Sequence, residues 1–294
     1  MNLLQGKMNM NQFLCTVTVI AALGLTGLAA AQGTTDTGMN ILLLTKSSGF
    51  EHSVIKHDAS GTSHVERILG PIVKEMGATL ECTKDASKIN AESLKKYDVV
   101  IFYTSGELTE TGEDGHPAMP ADGMDALFAW IQNGGGFLGF HAATDSCRTG
   151  DGPTPYVKMI GGEFVTHGAQ FAGTIKKVDP DHPAITSLPE RWRLQDEWYL
   201  FRNLDKENMH VLALLEIGRE RKMQEKYNIP DYPMIWCKAY GNGRILYNGM
   251  GHREDVWEHE TFKALVKEHL LWVSGQGPLD AEPNYTEVVP ETLP

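Results

Sequence analysis

The first half of the chain alternates between two patterns of hydrophobic and polar positions. Short, mostly apolar runs occur at Met39–Thr45, Asp98–Thr104 and Phe137–Phe140, as expected for strands buried on both faces of a parallel sheet. Between them, apolar residues recur at helical spacing from Val65 to Met76 and from Met124 to Ile131. This alternation predicts an α/β fold built on a mostly parallel, doubly wound sheet of the flavodoxin-like kind.

Weaker versions of both patterns lie between these segments. Thr79–Thr83 predicts a short strand and Ala91–Tyr97 a short helix, and Asp122 is expected to cap the helix that follows it. The first half therefore predicts four strands, with chemistry placed where each strand ends.

The second half of the chain has a different pattern. Strand-like runs are joined by turn-rich segments, and Gly241-Asn242-Gly243 has the composition of a hairpin turn. A last helix is predicted around the apolar face that runs from Phe262 to Val273. We therefore expect an antiparallel extension of the sheet, closed by a C-terminal helix. The strand-like runs are Phe171–Val178, Val211–Ile217, Met234–Tyr240 and Arg244–Asn248.

The two ends of the chain lie outside this pattern. Met1–Asn11 carry one charge, Lys7, and Gln12–Ala31 are apolar or small, which is typical of a signal peptide. The alternative is an uncleaved anchor, because the apolar run approaches the ~18–20 residues that a membrane span needs. Both interpretations predict export, to the periplasm or the exterior. The predicted divisions are a signal peptide at 1–31, a linker at 32–38, one domain at 39–275 and a tail at 276–294.

Charge and cysteine content narrow the classes of function. The chain has 38 acidic and 26 basic residues, a formal charge of −12, so it would repel phosphate backbones and we expect no nucleic-acid partner. No nucleotide cofactor is expected either, and a homo-oligomer is left open. Beyond the leader, Cys82, Cys147 and Cys237 form no Cys-x-x-Cys pair, so we expect inert thiols, with Cys82 and Cys237 buried in strands.

Four histidines occur at strand ends or in glycine-rich segments. His52 follows the first strand, His141 the fourth and His252 the last, while His167 lies in a segment that connects two elements. A single histidine is usually a structural residue that hydrogen-bonds its surroundings. Four at such positions predict one shared pocket, because the carboxyl ends of parallel strands meet at the same edge of a sheet.

The segment Gly139-Phe140-His141-Ala142-Ala143 has the shape of a nucleophile elbow, in which small residues permit a sharp turn from strand to helix. The apex position holds His141, and Cys147 lies too far along to replace a nucleophile. The chemistry of serine or cysteine hydrolases and of glutamine amidotransferases is therefore not expected. His141 could serve as a proton shuttle or a metal ligand, or simply hydrogen-bond the turn.

Carboxylates and aromatic residues occur together at Asp196-Glu197-Trp198-Tyr199. In a strand, Glu197 and Tyr199 would share one face. An aromatic ring beside a carboxylate is a common arrangement for holding a sugar. The alternative is a half-buried strand whose acidic side chains face solvent.

Together these motifs resemble the ThuA-like (trehalose utilisation) family over Met39–Gly275. The resemblance implies a class I glutamine-amidotransferase-like fold without the amidotransferase cysteine. It also implies carbohydrate metabolism, often beside oxidoreductases that make 3-keto sugars. Glu51 departs from the family, in which many members have a basic residue. The matching motifs are Gly49-Phe50-x-His52, Gly134-Gly135-Gly136-Phe137-x-Gly139-Phe140-His141-Ala142-Ala143-Thr144-Asp145, Gly161-Gly162-x-Phe164-x-x-His167, Asp196-Glu197-x-Tyr199 and Gly243-Arg244-x-x-Tyr247-x-x-x-Gly251-His252.

We therefore expect an exported enzyme that acts on a glycoside or 3-keto-sugar by acid/base hydrolysis, elimination or isomerisation. The alternatives are a non-catalytic sugar-binding module and a metal-dependent hydrolase. The expected catalytic residues are His141, Glu197 and Asp145. The expected substrate-binding residues are Phe50, His52, His167, Trp198, Tyr199 and His252. A divalent, zinc-like metal would be held by His52, His141, His167 and His252.

Overall fold

The predicted apolar segments form the central strands of the structure, a computed structural model that describes residues 37–112 and 114–293. The predicted signal peptide and nearly all of the predicted linker lie outside these residues. The strands are β1 (Asn40–Leu44), β2 (Thr79–Thr83), β3 (Val99–Phe102), β4 (Gly136–Phe140), β5 (Glu163–His167), β6 (Phe171–Lys177), β7 (Arg191–Asp196), β8 (Tyr199–Arg202), β9 (His210–Glu216), β10 (Tyr232–Tyr240) and β11 (Gly243–Asn248).

One nine-stranded sheet organises the described residues, in the order β2-β1-β3-β4-β11-β10-β9-β6-β7. Strands β2, β1, β3, β4 and β11 run parallel to one another. Strands β10, β9, β6 and β7 continue the sheet in antiparallel fashion. Strands β5 and β8 form a separate antiparallel pair. The predicted α/β class, with a parallel sheet and an antiparallel extension, is confirmed.

Helices cover the sheet. The longest begin at recognisable signals: Ser63 and Glu66 form a reciprocal capping box at the start of α1, and the His259 side chain caps α7. Asp122 occupies the N-cap of α3, but its side chain makes no capping hydrogen bond. The helices are α1 (His64–Glu75), α2 (Ala91–Leu94), α3 (Gly123–Gln132), α4 (Pro155–Ile160), α5 (Glu220–Met223), α6 (Glu254–Glu258), α7 (Glu260–Val273) and α8 (Tyr285–Val288). Short 3₁₀ turns lie at Ser53–Ile55, Ala86–Lys88, His141–Asp145, Pro183–Ile185 and Glu225–Tyr227.

Strand β1 shows why the strands of the parallel region consist of continuous runs of apolar residues. Ile41 and Leu43 pack into one hydrophobic cluster, while Leu42 and Leu44 pack into another on the opposite face. Successive side chains of a strand point to opposite faces, so a strand covered on both sides needs apolar residues at every position. This arrangement fixes the carboxyl end of β1 at the edge where the site lies.

The predicted hairpin turn is also present. Tyr240 pairs with Gly243 across the antiparallel strands β10 and β11, which leaves a two-residue loop. Gly241 has φ +62°, and a Cβ there would lie 2.8 Å from backbone atoms of Gln132. Glycine is therefore required both by the turn and by its packing.

Several elements differ from the sequence-based prediction. Helix α2 ends at Leu94 rather than Tyr97, because the next amides bond only three residues back. Strands β5, β7 and β8 were not predicted. The expectation that Cys82 is buried is wrong, since it is exposed on β2, the edge strand of the large sheet. Cys147 and Cys237 are buried as free thiols.

The C-terminal tail is bound to the domain by specific contacts. The Arg244 guanidinium donates to the carbonyls of Gln276, Gly277 and Pro278. The Asn284 side chain both accepts from the amide and donates to the carbonyl of Val211. The tail therefore contributes to the packing of the fold. Across residues 37–112 and 114–293, no helix combines the length and apolar character needed to cross a bilayer.

Candidate active site

Three predicted histidines meet at the carboxyl edge of the parallel strands. His52 follows β1, His141 follows β4 and His252 follows β11. The distances between their ring centroids are 5.1 Å for His52–His141, 5.2 Å for His52–His252 and 5.2 Å for His141–His252. The sheet topology therefore brings together three residues that are distant in sequence.

His141 occupies the apex of the predicted elbow. Its backbone has φ +36°, an uncommon conformation for a residue with a side chain, and the Tyr247 hydroxyl donates to its carbonyl at 2.7 Å. The ring Nδ1 lies 3.1 Å from the carbonyl oxygen of Gly249. Because that oxygen can only accept, Nδ1 carries the proton and Nε2 keeps its lone pair.

Glu197 projects into the triangle of histidines. Its Oε2 lies 3.2 Å from His252 Nδ1 and 3.6 Å from His141 Nε2, and its Oε1 lies 3.2 Å from His167 Nδ1. Glu197 does not lie within a strand, because β7 ends at Asp196 and β8 begins at Tyr199. Glu197 and Tyr199 nevertheless both reach the site, because the chain turns between them.

Burial and charge set different protonation states within the site. Burial alone would raise the pKa of Glu197, but the adjacent imidazoles of His141 and His252 lower it well below the usual range. Burial lowers the pKa of His52 and of His141, which favours their neutral forms. Burial opposes charge on His252 as well, but Glu197 raises its pKa. The site thus holds a carboxylate beside two neutral imidazoles, those of His52 and His141, and a third, His252, whose charged form it favours.

The nitrogen and oxygen atoms of these side chains that could bind a metal lie close together. One ligand atom from each of His52, His141, Glu197 and His252 lies within 4.8 Å of the others, and we call these four residues the Glu197 cluster. His141 Nε2 and His252 Nδ1 are 3.3 Å apart. Such a cluster could hold a metal ion. The structure groups Glu197 with three of the four predicted ligands, whereas the fourth, His167, is more exposed and contacts the other oxygen of Glu197.

A buried carboxylate that the sequence analysis assigned no role ties the site together. Asp196 accepts from the amide of Glu197 at 2.9 Å and from the amide of Gly251 at 2.7 Å. It therefore fixes both the residue that carries the carboxylate and the turn that carries His252. Burial raises the pKa of Asp196 to about 7. Its place in the motif Asp196-Glu197-x-Tyr199 was the signal that could have identified it.

Aromatic residues form one wall and the mouth of the site. The Tyr199 hydroxyl lies 3.2 Å from His52 Nε2, and its ring centroid is 4.0 Å from that of His141. Phe50 is 67% exposed and packs edge-on against His52 at 4.9 Å. The expectation that Trp198 contacts substrate is wrong, since its indole is fully buried in the core and donates to the carbonyl of Phe171.

Asp145 does not join the Glu197 cluster. It pairs with Arg148 and faces a neighbouring cavity of about 260 Å³, which we call the arginine cavity. Burial raises the pKa of Asp145 to about 6, although Arg148 opposes that effect. The arginine cavity is lined by Gly106, Glu107, Asp145, Arg148, Gly150, Glu163 and Arg202.

The chain is similar to proteins of one family. The ThuA family model, described as trehalose utilisation, matches residues 40–273. A ThuA-like protein from Bacteroides uniformis has a TM-score of 0.62 at 22% identity, over 85% of this chain and 96% of its own. One from Parabacteroides merdae has a TM-score of 0.59 at 16% identity, over 84% and 95%. These identities support the fold alone. A search of curated proteins found no significant match.

Proposed function

The chain belongs to the ThuA family, which is involved in trehalose utilisation and has the class I glutamine-amidotransferase-like fold. On that premise we propose that it is an enzyme that moves a proton on a keto-sugar at the Glu197 cluster. The observation that carries this proposal is an ionised, buried carboxylate surrounded by histidines at the carboxyl edge of the parallel strands. A carboxylate and imidazoles are the usual groups for general acid/base catalysis.

The chemistry begins at the carbon next to the keto group, whose C–H bond the carbonyl acidifies. His141, whose Nε2 keeps its lone pair, takes this proton, and the electron pair passes to the keto oxygen as an enolate. His252, whose charged form Glu197 favours, is placed to stabilise that negative charge. Isomerisation results when the proton returns to the former carbonyl carbon and the hydroxyl group on the first carbon loses its proton to become the new ketone. Elimination results when the aglycone is expelled and takes up a proton as it leaves. Addition of water to the eliminated product completes a net hydrolysis.

A zinc-like divalent cation fits the same cluster. The donors are three imidazole nitrogens and one carboxylate oxygen, a ligand set that zinc prefers. The hydrogen bond from His141 Nδ1 to the Gly249 carbonyl leaves Nε2 free to coordinate. When bound, the cation would act as a Lewis acid toward the keto oxygen.

Exchange with solvent tests the proposed proton transfer directly. The protein is incubated in D₂O with a 3-oxidised and an unoxidised disaccharide, with and without chelator, and products are identified by mass and NMR. We expect deuterium at the carbon next to the keto group of the oxidised sugar only. His141→Ala should abolish the exchange, whereas His182→Gln, at a buried histidine outside the cluster, should retain it.

The opposite result supports the second candidate function. Binding of both sugars without exchange or product would indicate a non-catalytic sugar-binding module. The exposed ring of Phe50 beside His52 favours sugar binding in either case.

The proposed place of action is outside the cytoplasm. The composition of residues 1–31 supports removal of a signal peptide after Ala31. Mass spectrometry of the protein exported by its host should give a chain that begins near Gln32. An exported product that retains Met1 would contradict cleavage.

A further inference from the structure

The arginine cavity lies beside the Glu197 cluster. Arg148 Cζ is 5.4 Å from the ring centroid of Phe164, whose ring is 3.9 Å from that of Tyr199. The Tyr199 ring in turn is 4.0 Å from that of His141. A chain of two aromatic rings, Phe164 and Tyr199, therefore leads from Arg148 of the cavity to His141 of the site.

Both arginines of the cavity are held by carboxylates. Arg202 Nη2 donates to the buried carboxylate of Glu163 at 2.6 Å, and Asn203 donates to its second oxygen at 2.7 Å. Arg148 pairs with Asp145 and donates to the carbonyl of Phe164 at 3.1 Å. The guanidinium groups are thus oriented and neutralised before any ligand arrives.

The balance of charge indicates what the cavity would accept. Glu107, Asp145 and Glu163 together carry one more formal charge than Arg148 and Arg202. A phosphate or carboxylate ligand would therefore meet net repulsion. Hydroxyl groups donate to carboxylates and accept from guanidinium groups, so a neutral polyol satisfies both kinds of side chain.

We infer that the arginine cavity is a second subsite, which binds a neutral, hydroxylated sugar ring attached to the ring that reacts at the Glu197 cluster. The substrate would then be a disaccharide or similar glycoside. The volume of the arginine cavity, about 260 Å³, lies just below the ~300 Å³ at which pockets for drug-sized ligands begin. This volume suits one sugar ring. This inference rests on the proposed function and assigns Asp145 to substrate binding.

Paired substrates test the subsite. The values of kcat/KM are measured for a 3-oxidised disaccharide, its 6-phosphate on the distal ring, and 3-oxidised methyl glucoside. Arg148→Met should reduce the advantage of the disaccharide over the methyl glucoside about tenfold, mainly through KM, as expected for loss of a hydrogen bond to a charged group. Glu107→Gln, a milder change in the same cavity, should reduce it less. The phosphorylated sugar should be the poorer of the two disaccharides.

Arg191→Met provides the matched control, since Arg191 is also an exposed arginine paired with one carboxylate, at the opposite end of β7 from Asp196. It should leave the substrate preference unchanged. The subsite would be overturned if each of Arg148→Met and Glu107→Gln lowered kcat/KM by the same factor for the disaccharide as for the methyl glucoside. A higher kcat/KM for the phosphorylated disaccharide would also overturn it. If the wild-type protein turns over neither sugar, the proposed function fails. Calorimetric binding of both unoxidised sugars to the wild type and variants then decides the subsite.

Discussion

The molecule contains two groups of buried histidines with opposite hydrogen-bonding patterns. In the group packed against the C-terminal tail, which we call the tail cluster (His182, His210 and His269), each ring nitrogen has a polar partner. In the Glu197 cluster, His52 Nδ1 has no partner within the described residues, and His141 Nε2 faces His252 Nδ1. His52 and His141 are as buried as the tail cluster, whereas the side chain of His252 is 20% exposed. A candidate catalytic site is therefore indicated by ring nitrogens that converge without hydrogen-bond partners of their own, and not by the burial of histidines as such.

The partners of the tail cluster explain its structural role. His182 Nε2 donates to the carbonyl of Asp280 at 3.0 Å, and its Nδ1 accepts from the amide of Ala184 at 3.1 Å. His269 Nδ1 donates to the carbonyl of Ala184 at 2.8 Å. These bonds hold the tail and helix α7 against the 3₁₀ turn at Pro183–Ile185. We therefore expect substitutions in the tail cluster to change stability, and substitutions in the Glu197 cluster to change turnover.

The largest expected effect is on catalysis. Glu197→Gln keeps the shape of the side chain but removes the charge that favours protonated His252, so the enolate loses its stabilisation and kcat should fall about a thousandfold. The free energy of unfolding should also fall, because the neighbouring imidazoles stabilise the ionised carboxylate in the folded state. The measurements are initial rates with the oxidised disaccharide and urea unfolding.

His182→Ala should show the converse behaviour. It leaves the Asp280 carbonyl and the Ala184 amide without their partner, so the free energy of unfolding should fall by about 2 kcal/mol while kcat stays within about twofold. Loss of turnover in His182→Ala, or full turnover in Glu197→Gln, would break the distinction between the two clusters.

Acid should destabilise the fold through the tail cluster. Burial, with help from His210, lowers the pKa of His182 to about 4. Above about pH 6.5 the ring is neutral in both states, but between pH 6.5 and pH 4 the unfolded chain binds a proton that the folded chain refuses. The unfolding free energy should therefore fall by about 3 kcal/mol over this range from His182 alone.

Comparison with His182→Gln isolates that contribution. Unfolding is measured in urea at pH 7 and at pH 4 for both proteins. The wild type should lose about 3 kcal/mol more than His182→Gln, because glutamine does not titrate. Equal losses would show that His182 binds its proton in the folded state.

Stabilisation of the fold by a divalent cation should depend on the Glu197 cluster and not on the tail cluster. At a zinc concentration of about 100 Kd, binding to the folded state should stabilise it by about 2.7 kcal/mol. Metal analysis after dialysis should find about one ion per chain, and His52→Ala should weaken both effects. His182→Gln should respond as the wild type does. If zinc stabilised His52→Ala as much as the wild type, the ion would bind elsewhere. If zinc stabilised neither protein, the proposed proton transfer would proceed without a metal.

The sequence predicted the parallel region well because every residue of those strands is under the same physical constraint. Strands β1, β3 and β4 are covered on both faces, which requires continuous apolar sequence. Strand β7 lies at the edge of the sheet with Arg191 exposed, and β5 and β8 form a small separate sheet, so their sequences carry only a weak pattern. Glycine-flanked histidines at strand ends marked the site for the same topological reason.

Side-chain direction and long-range ties could not be predicted. Whether Trp198 faces substrate or core depends on the break between β7 and β8, which no local pattern shows. The link from Asp196 to the amide of Gly251 joins positions that are 55 residues apart. The tail cluster was not singled out either, because His182 and His210 lie in segments without a motif.

The smallest expected effect concerns access, in which the two clusters also differ. Phe50 is 67% exposed beside His52, whereas His182 and His269 are fully buried. If a sugar ring stacks on Phe50, Phe50→Ala should raise KM about three- to tenfold, the range expected for an aromatic contact, with little change in kcat. Leu279→Ala, at an exposed apolar residue of the tail, is the matched control and should leave KM unchanged. An unchanged KM in Phe50→Ala would show that the sugar enters without touching this ring, and a fall in kcat alone would show that Phe50 acts by positioning His52.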